Sequence, residues 1–168
     1  MRFLTSDGRF GLLVTPVVNS GQSRFQLVIG GRLIGGAEPS FAYGAFEEMG
    51  NLPRFSDKRL SLLSEDPDTV LAALLSEEEL HDPATLSLSE SLDNWLIQGY
   101  CYEGSVAMLA RPYENGSLVG PTLISIVGCA EYASIVEIAR SYWAQSDERF
   151  RSTLWRARTG SSDGESRA

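Results

Sequence analysis

The sequence predicts an α+β protein: antiparallel strands, an inserted acidic helical segment, more strands, and a C-terminal helix packed on the sheet. Three observations predict it. Short apolar runs separated by Gly-Gly and Asn-Gly pairs form two groups, each with the pattern of a hairpin. Between the groups lies a stretch with helix-start signals and a strong excess of acid. The last periodic stretch, residues 131–145, carries apolar residues at helical spacing. With 168 residues, 43% hydrophobic and 21% charged, the chain can bury a core without disulfide or metal support.

Residues 10–18 are a nearly continuous apolar run with β-branched side chains, ended by the turn-like Asn19-Ser20-Gly21-Gln22. Residues 24–29 alternate in part, and Gly30-Gly31 separates them from Arg32-Leu33-Ile34. Both central positions of a type I′ turn need positive φ, so this pair predicts a two-residue hairpin and three antiparallel strands. Ser40 is placed to cap a helix over residues 41–49. Phe41, Ala45, Phe46 and Met49 would share its buried face, with Gly50 as the left-handed residue after it.

A second helix begins with Asp66 as N-cap, Pro67 at the first helical position and Asp68 in the first turn. Val70, Leu71, Leu74 and Leu75 form its stripe. Ser76-Glu77-Glu78-Glu79 has capping-box spacing, and His81-Asp82-Pro83 stops the segment. Residues 84–93 read as a loop. Strands follow over 95–102 and 105–110 across Glu103-Gly104, and Asn115-Gly116 leads into a third over 118–127. The closing helix would bury Tyr132, Ile135, Ile138, Ala139, Tyr142 and Trp143. Residues 1–155 are expected to form one domain, and 156–168, polar and Gly/Ser-rich, a disordered tail.

Charge narrows the function. Fourteen basic residues stand against 22 acidic ones, a net charge of −8, which argues against a nucleic-acid partner because phosphate binding needs concentrated Lys and Arg. The excess is local. Residues 60–110 hold ten acids and no Lys or Arg, whereas the chain on either side is close to balance. Helix N-termini account for Asp66, Asp68 and part of the Glu77–Glu79 run through the helix dipole. They do not account for fifty residues without a cation. Two readings stand here: a solvated surface, or a negative face that steers a basic protein partner. On the second, Glu65, Asp66, Asp68, Glu77, Glu78, Glu79, Asp82, Glu90 and Asp93 supply the field and Trp95 an apolar anchor.

Catalytic signals are weak. His81 is the sole histidine, with no nucleophile-elbow pattern, and one His with two separated Cys cannot close a zinc site without carboxylates, so no metal or cofactor is expected. Gly30 to Gly36 lacks GxGxxG spacing and reads as a hairpin. Asp93, Glu103, Glu131 and Glu137 are candidates for a carboxylate pair in a cleft, against the plainer reading of solvated surface acids. Cys101 and Cys129 lie among apolar residues, outside any CxxC, and read as buried thiols of a reducing compartment. No apolar run reaches the roughly 20 residues that span a bilayer, and residues 1–10 lack a secretory core, so a cytoplasmic protein with no membrane role is expected. Thirteen Arg against one Lys resembles the bias of a GC-rich bacterial genome.

The run Phe25-Gln26-Leu27-Val28-Ile29-Gly30-Gly31-Arg32-Leu33-Ile34-Gly35, followed by a short helix, resembles the opening of small immunity proteins of bacterial polymorphic-toxin systems, in which I-x-G-x-x-I/Y-G precedes a helix. Ser91-Leu92-Asp93-Asn94-Trp95, the later strands and the helix through Tyr142-Trp143 fit the same layout. The resemblance implies a toxin inhibitor that acts by protein–protein interaction with a cognate toxin domain, often a basic nuclease. It carries over no catalytic residues. A small carboxylate enzyme and an accessory domain without a dedicated partner remain the alternatives, and a homodimer through an apolar strand edge or Tyr142-Trp143 stays open.

Overall fold

Strand pairing in the structure, a computed structural model, follows the turn signals. It describes residues 1–17, 22–52, 66–76, 84–88 and 92–159, with the side chains of the last helix described as far as Ser146. The first sheet is an antiparallel meander of β1 (Arg2–Leu4), β2 (Phe10–Pro16), β3 (Ser23–Ile29) and β4 (Arg32–Ile34), in that spatial order. Gly30 and Gly31 take φ of 62° and 78°, as a type I′ hairpin requires, and fix the register at Ile29 opposite Arg32. β1 has no sequence signal, because three residues are too few to show alternation; its start is tied by the Met1 amino group to the Val14 carbonyl.

The second sheet places β6 (Ser105–Glu114) between β5 (Trp95–Tyr102) and β8 (Leu123–Gly128), with the short β7 (Ser117–Leu118) paired to the end of β6. Glu103 and Gly104 turn the first hairpin with φ of 44° and 79°. The third strand predicted over 118–127 is divided. Gly120 at φ 65° and Pro121, which has no N–H to donate, interrupt the ladder between β7 and β8.

Alternation along β5 and β6 feeds two cores. Ile97, Cys101, Val106, Met108 and Ala110 face a large core, shared with Phe10, Leu12, Phe25, Leu27 and Ile29 of the first sheet, α1 (Tyr43–Asn51) and α3 (Cys129–Thr159). Tyr100, Ala107 and Leu109 face the other way, under Val70, Leu71 and Leu74 of α2 (Pro67–Ser76). Ser125 joins the sheets: its hydroxyl accepts from Gly30 N–H at 2.8 Å and donates to the Arg9 carbonyl at 2.6 Å. Tyr132 on α3 donates to the Met49 carbonyl at 3.0 Å and packs its ring on Phe10, tying both helices to the first sheet.

The helix starts need correction. α1 begins at Tyr43, with Ala42 as its N-cap residue and no side-chain cap, while Ser40 lies buried in a bridge to Ser23. Phe41 therefore precedes the helix, 70% exposed, and Gly50 sits inside it rather than after it. α3 starts two residues early, at Cys129, and its backbone runs past Trp155 to Thr159. Ile138 is 53% exposed because it lies at the margin of the narrower stripe formed by Tyr132, Ile135, Val136 and Ala139. The Asn19–Gly21 turn, the Ser76–Glu79 restart beyond Ser76, the His81–Pro83 stop and residues 160–168 lie outside the described residues.

Two glycines distinguish these readings by sign. A Cβ on Gly99 would stand 2.6 Å from Leu52 Cδ2 and 3.0 Å from Met108 Sδ, so Gly99→Ala should lower stability by about 1–3 kcal/mol. Gly50 has open space around it within α1, so Gly50→Ala should raise stability by about 0.5–1 kcal/mol. Urea midpoints measure both. A loss at Gly50 would restore it as a left-handed cap.

Candidate functional site

Asp66, Asp68, Asp93 and Trp95 are the described members of the predicted partner surface; Glu65, Glu77, Glu78, Glu79, Asp82 and Glu90 lie outside the described residues. Asp68 and Trp95 reach the same end of the second sheet from opposite faces, Asp68 with α2 and Trp95 against the main core. Asp66 Oδ2 caps α2, accepting from the N–H groups of Asp68 at 3.1 Å and Thr69 at 3.3 Å. Asp68 Oδ1 accepts from both the N–H (3.1 Å) and the hydroxyl of Thr122, and meets Arg111 Nη1 at 3.4 Å. Arg111 sits opposite Leu96 on β5, beside the Trp95–Pro112 pair, and Asp93 and Asn94 lead directly into Trp95.

These acids do different work. The Thr122 hydroxyl above all, opposed by desolvation and helped by the Thr122 N–H and Arg111, holds the Asp68 carboxyl below the usual carboxylate range. Asp68 thus anchors α2 to the strands, although half of its side chain still meets solvent. Asp93 is exposed and Trp95 half-buried, its ring packed against the main core. Behind Asp68, the sheet face under α2 carries Gln98 and Tyr100, both fully buried. The Tyr100 hydroxyl has no hydrogen-bond partner among the described residues, and burial pushes it up to about 12.

Beyond the point where β5 begins, β6 runs on to Glu114 and turns at Asn115 (φ 50°) and Gly116 (φ 82°). The overhanging hairpin is fastened by Tyr113 N–H donating to the Asn94 carbonyl at 2.8 Å. A groove of about 510 Å³ opens there, lined by Asn94, Trp95, Pro112, Tyr113 and Glu114, with Arg32 from β4. Tyr113 is 45% exposed. Sequence reading missed Tyr113 and Glu114 because it ended the strand at Ala110, and it placed Arg32 in a strand without relating it to them, because that juxtaposition is made between sheets. The Asn115-Gly116 turn was the available signal, since a strand feeding a two-residue turn has to reach it.

Three of the four carboxylates named as catalytic candidates meet different neighbours. Glu131 accepts from Ser6 N–H at 2.9 Å and Glu137 pairs with Arg140 at 2.6 Å. Glu103 takes the Tyr102 hydroxyl, whose pKa it raises, and Asp93 lies in the turn before β5. Cys101 is buried, its thiol donating to the Leu52 carbonyl at 3.6 Å. Burial, with a contribution from neighbouring Cys129, pushes it up to about 12, which keeps it protonated and unreactive at neutral pH. No group of three His, Cys, Asp or Glu among the described residues is arranged to hold a metal ion, and His81 lies outside them. Among the described residues no helix is long and apolar enough to cross a membrane.

No protein-family model matches the chain, and no curated protein matches it either. Its two antiparallel sheets and long C-terminal helix do match a solved structure. The crystal structure of CdiI from Burkholderia dolosa AUO158 superposes with a TM-score of 0.59 at 15% identity, covering 84% of this chain and 99% of that one. At that identity the likeness is one of fold.

The Asp68 anchor predicts a pH dependence. Its folded pKa lies below the ordinary 3.8, so its stabilisation is complete above that value and is lost as pH falls through the folded one. Because the group is half exposed, Asp68→Asn should cost only about 0.5–1 kcal/mol at pH 7. The urea midpoints of the two proteins should converge as pH falls below about 4. An equal gap at pH 7 and pH 3 would mean that the charge contributes nothing.

Proposed function

We propose that this chain is a bacterial, cytoplasmic immunity-type protein that neutralises a cognate toxin domain by binding it directly, with no catalytic step of its own. The observation that carries the reading is the likeness of fold to CdiI, which spans nearly all of that protein and most of this one. The surface supports it. Glu114 and Arg32 border a groove lined by Trp95 and Tyr113, a charged rim beside aromatic side chains of the kind that protein interfaces favour. The acids at Glu65, Glu77, Glu78, Glu79, Asp82 and Glu90 would present a negative field toward a basic partner.

The scattered engagement of Glu103, Glu131 and Glu137 lends the enzyme alternative no support. A neighbouring gene for a long protein with a variable C-terminal domain identifies the toxin to test. Co-expression of that domain with this chain should restore growth, and the two should copurify. Failure of both sinks the reading for that pair. Replacing Glu77, Glu78 and Glu79 together with Lys should slow association and weaken its dependence on salt; on-rates unchanged at low salt would reduce the run to a solvated surface.

A further inference from the structure

The second sheet gathers its unmet hydrogen-bonding capacity on one face. Among the described residues, the buried side-chain atoms without a hydrogen-bond partner are Gln98 Oε1, the Tyr100 hydroxyl and Arg111 Nε. Gln98 stands opposite Leu109, Tyr100 opposite Ala107 and Arg111 opposite Leu96, so all three lie on the face that α2 covers. We propose that α2 is a detachable cover, which lifts from the second sheet as a unit while the main core stays folded. The motion belongs to the chain alone and holds whether or not a toxin is its partner.

Several properties of this face make lifting easy. Burial strips its polar atoms of water without giving them a protein partner, so closing α2 carries a cost that opening recovers. Tyr132 shows the contrast. It is equally buried, in the main core, but its hydroxyl donates to the Met49 carbonyl. The apolar hold on α2 is also modest: Val70, Leu71 and Leu74, with no aromatic among them, rest on Tyr100, Ala107 and Leu109. No residue of α2 belongs to the main core, where both sheets, α1 and α3 already meet, so its departure leaves that core whole. Asp68 opposes opening, because its carboxylate accepts from the Thr122 hydroxyl and N–H and meets Arg111. Half of its side chain faces solvent, which screens the tie. Opening carries Asp66 and Asp68 away from the strands and returns Gln98 and Tyr100 to water.

Native-state hydrogen exchange on the full chain at pH 7 is the test. The amides of residues 70–76 should share one opening, at least about 10-fold more populated than the one that frees β2 and β3, with a shallower dependence on urea. Equal protection and equal urea slope in α2 and β2 would mean that α2 leaves only when the whole protein unfolds, and would overturn the proposal. Exchange graded from the ends of α2 inward, with no urea dependence, is fraying and overturns it likewise.

Two variants read the cause. Tyr100→Phe removes an unmet hydroxyl with little change of shape, and should raise protection of the α2 amides about 3-fold or more. Asp68→Asn should lower that protection about 3-fold. A loss of protection in Tyr100→Phe would show that its hydroxyl is bonded when α2 is closed, and the cover would then have no built-in reason to lift.

Discussion

Burial of β6 on both faces is the constraint that shapes this protein. Val106, Met108 and Ala110 enter the main core, while Ala107 and Leu109 enter the smaller one under α2. A strand with no solvent face has to be covered from two sides and paired along both edges. β5 and β8 supply the edges, the first sheet with α1 and α3 one cover, and α2 the other. Each large apolar side chain so buried is worth about 1.5–3 kcal/mol. A one-residue slip in register would exchange the two sets, putting Met108 under α2 and Leu109 against α1, so the pairing is strongly specified. The double cover ends at Ala110. From Arg111 to Glu114 the strand is half-exposed and then exposed, and that uncovered end is where the groove forms.

Polar contacts over long sequence separation hold the covers in place. Ser125 clasps the ends of the first sheet's hairpins, Tyr132 holds α1 against α3, and Asp68 fastens α2 to Thr122 and Arg111. Asp68 is both an acid of the negative segment and a structural tie. The local negative charge of Asp68 thus takes part in packing, while half of its side chain still meets solvent.

Sharing a fold with CdiI at 15% identity means that the arrangement of sheets and helix persists while most side chains differ. A core tolerates such replacement when volume and alternation are kept. The residues free to vary without disturbing it are those where the cover runs out, such as Asp93, Tyr113 and Glu114. Surface chemistry at this end of the molecule is therefore separable from stability.

Much of the chain was legible before folding. Gly30-Gly31, Glu103-Gly104 and Asn115-Gly116 all turn with positive φ, and the Asp66-Pro67 start of α2 was readable too, because these signals act through local backbone geometry. Helix boundaries without such chemistry were misread: Ser40 and Phe41 have the right spacing, yet Ser40 is taken by its bridge to Ser23. The sequence by itself determined the α+β class, the hairpins and an acidic middle segment with an aromatic at its end. Only the tertiary structure decided that Asp68 is tied down, that Ile138 faces water, and that Tyr113, Glu114 and Arg32 gather beside Trp95. Turns and caps depend on neighbours in the chain, whereas a groove depends on where one strand outruns another, and that length difference exists only once the sheets have paired.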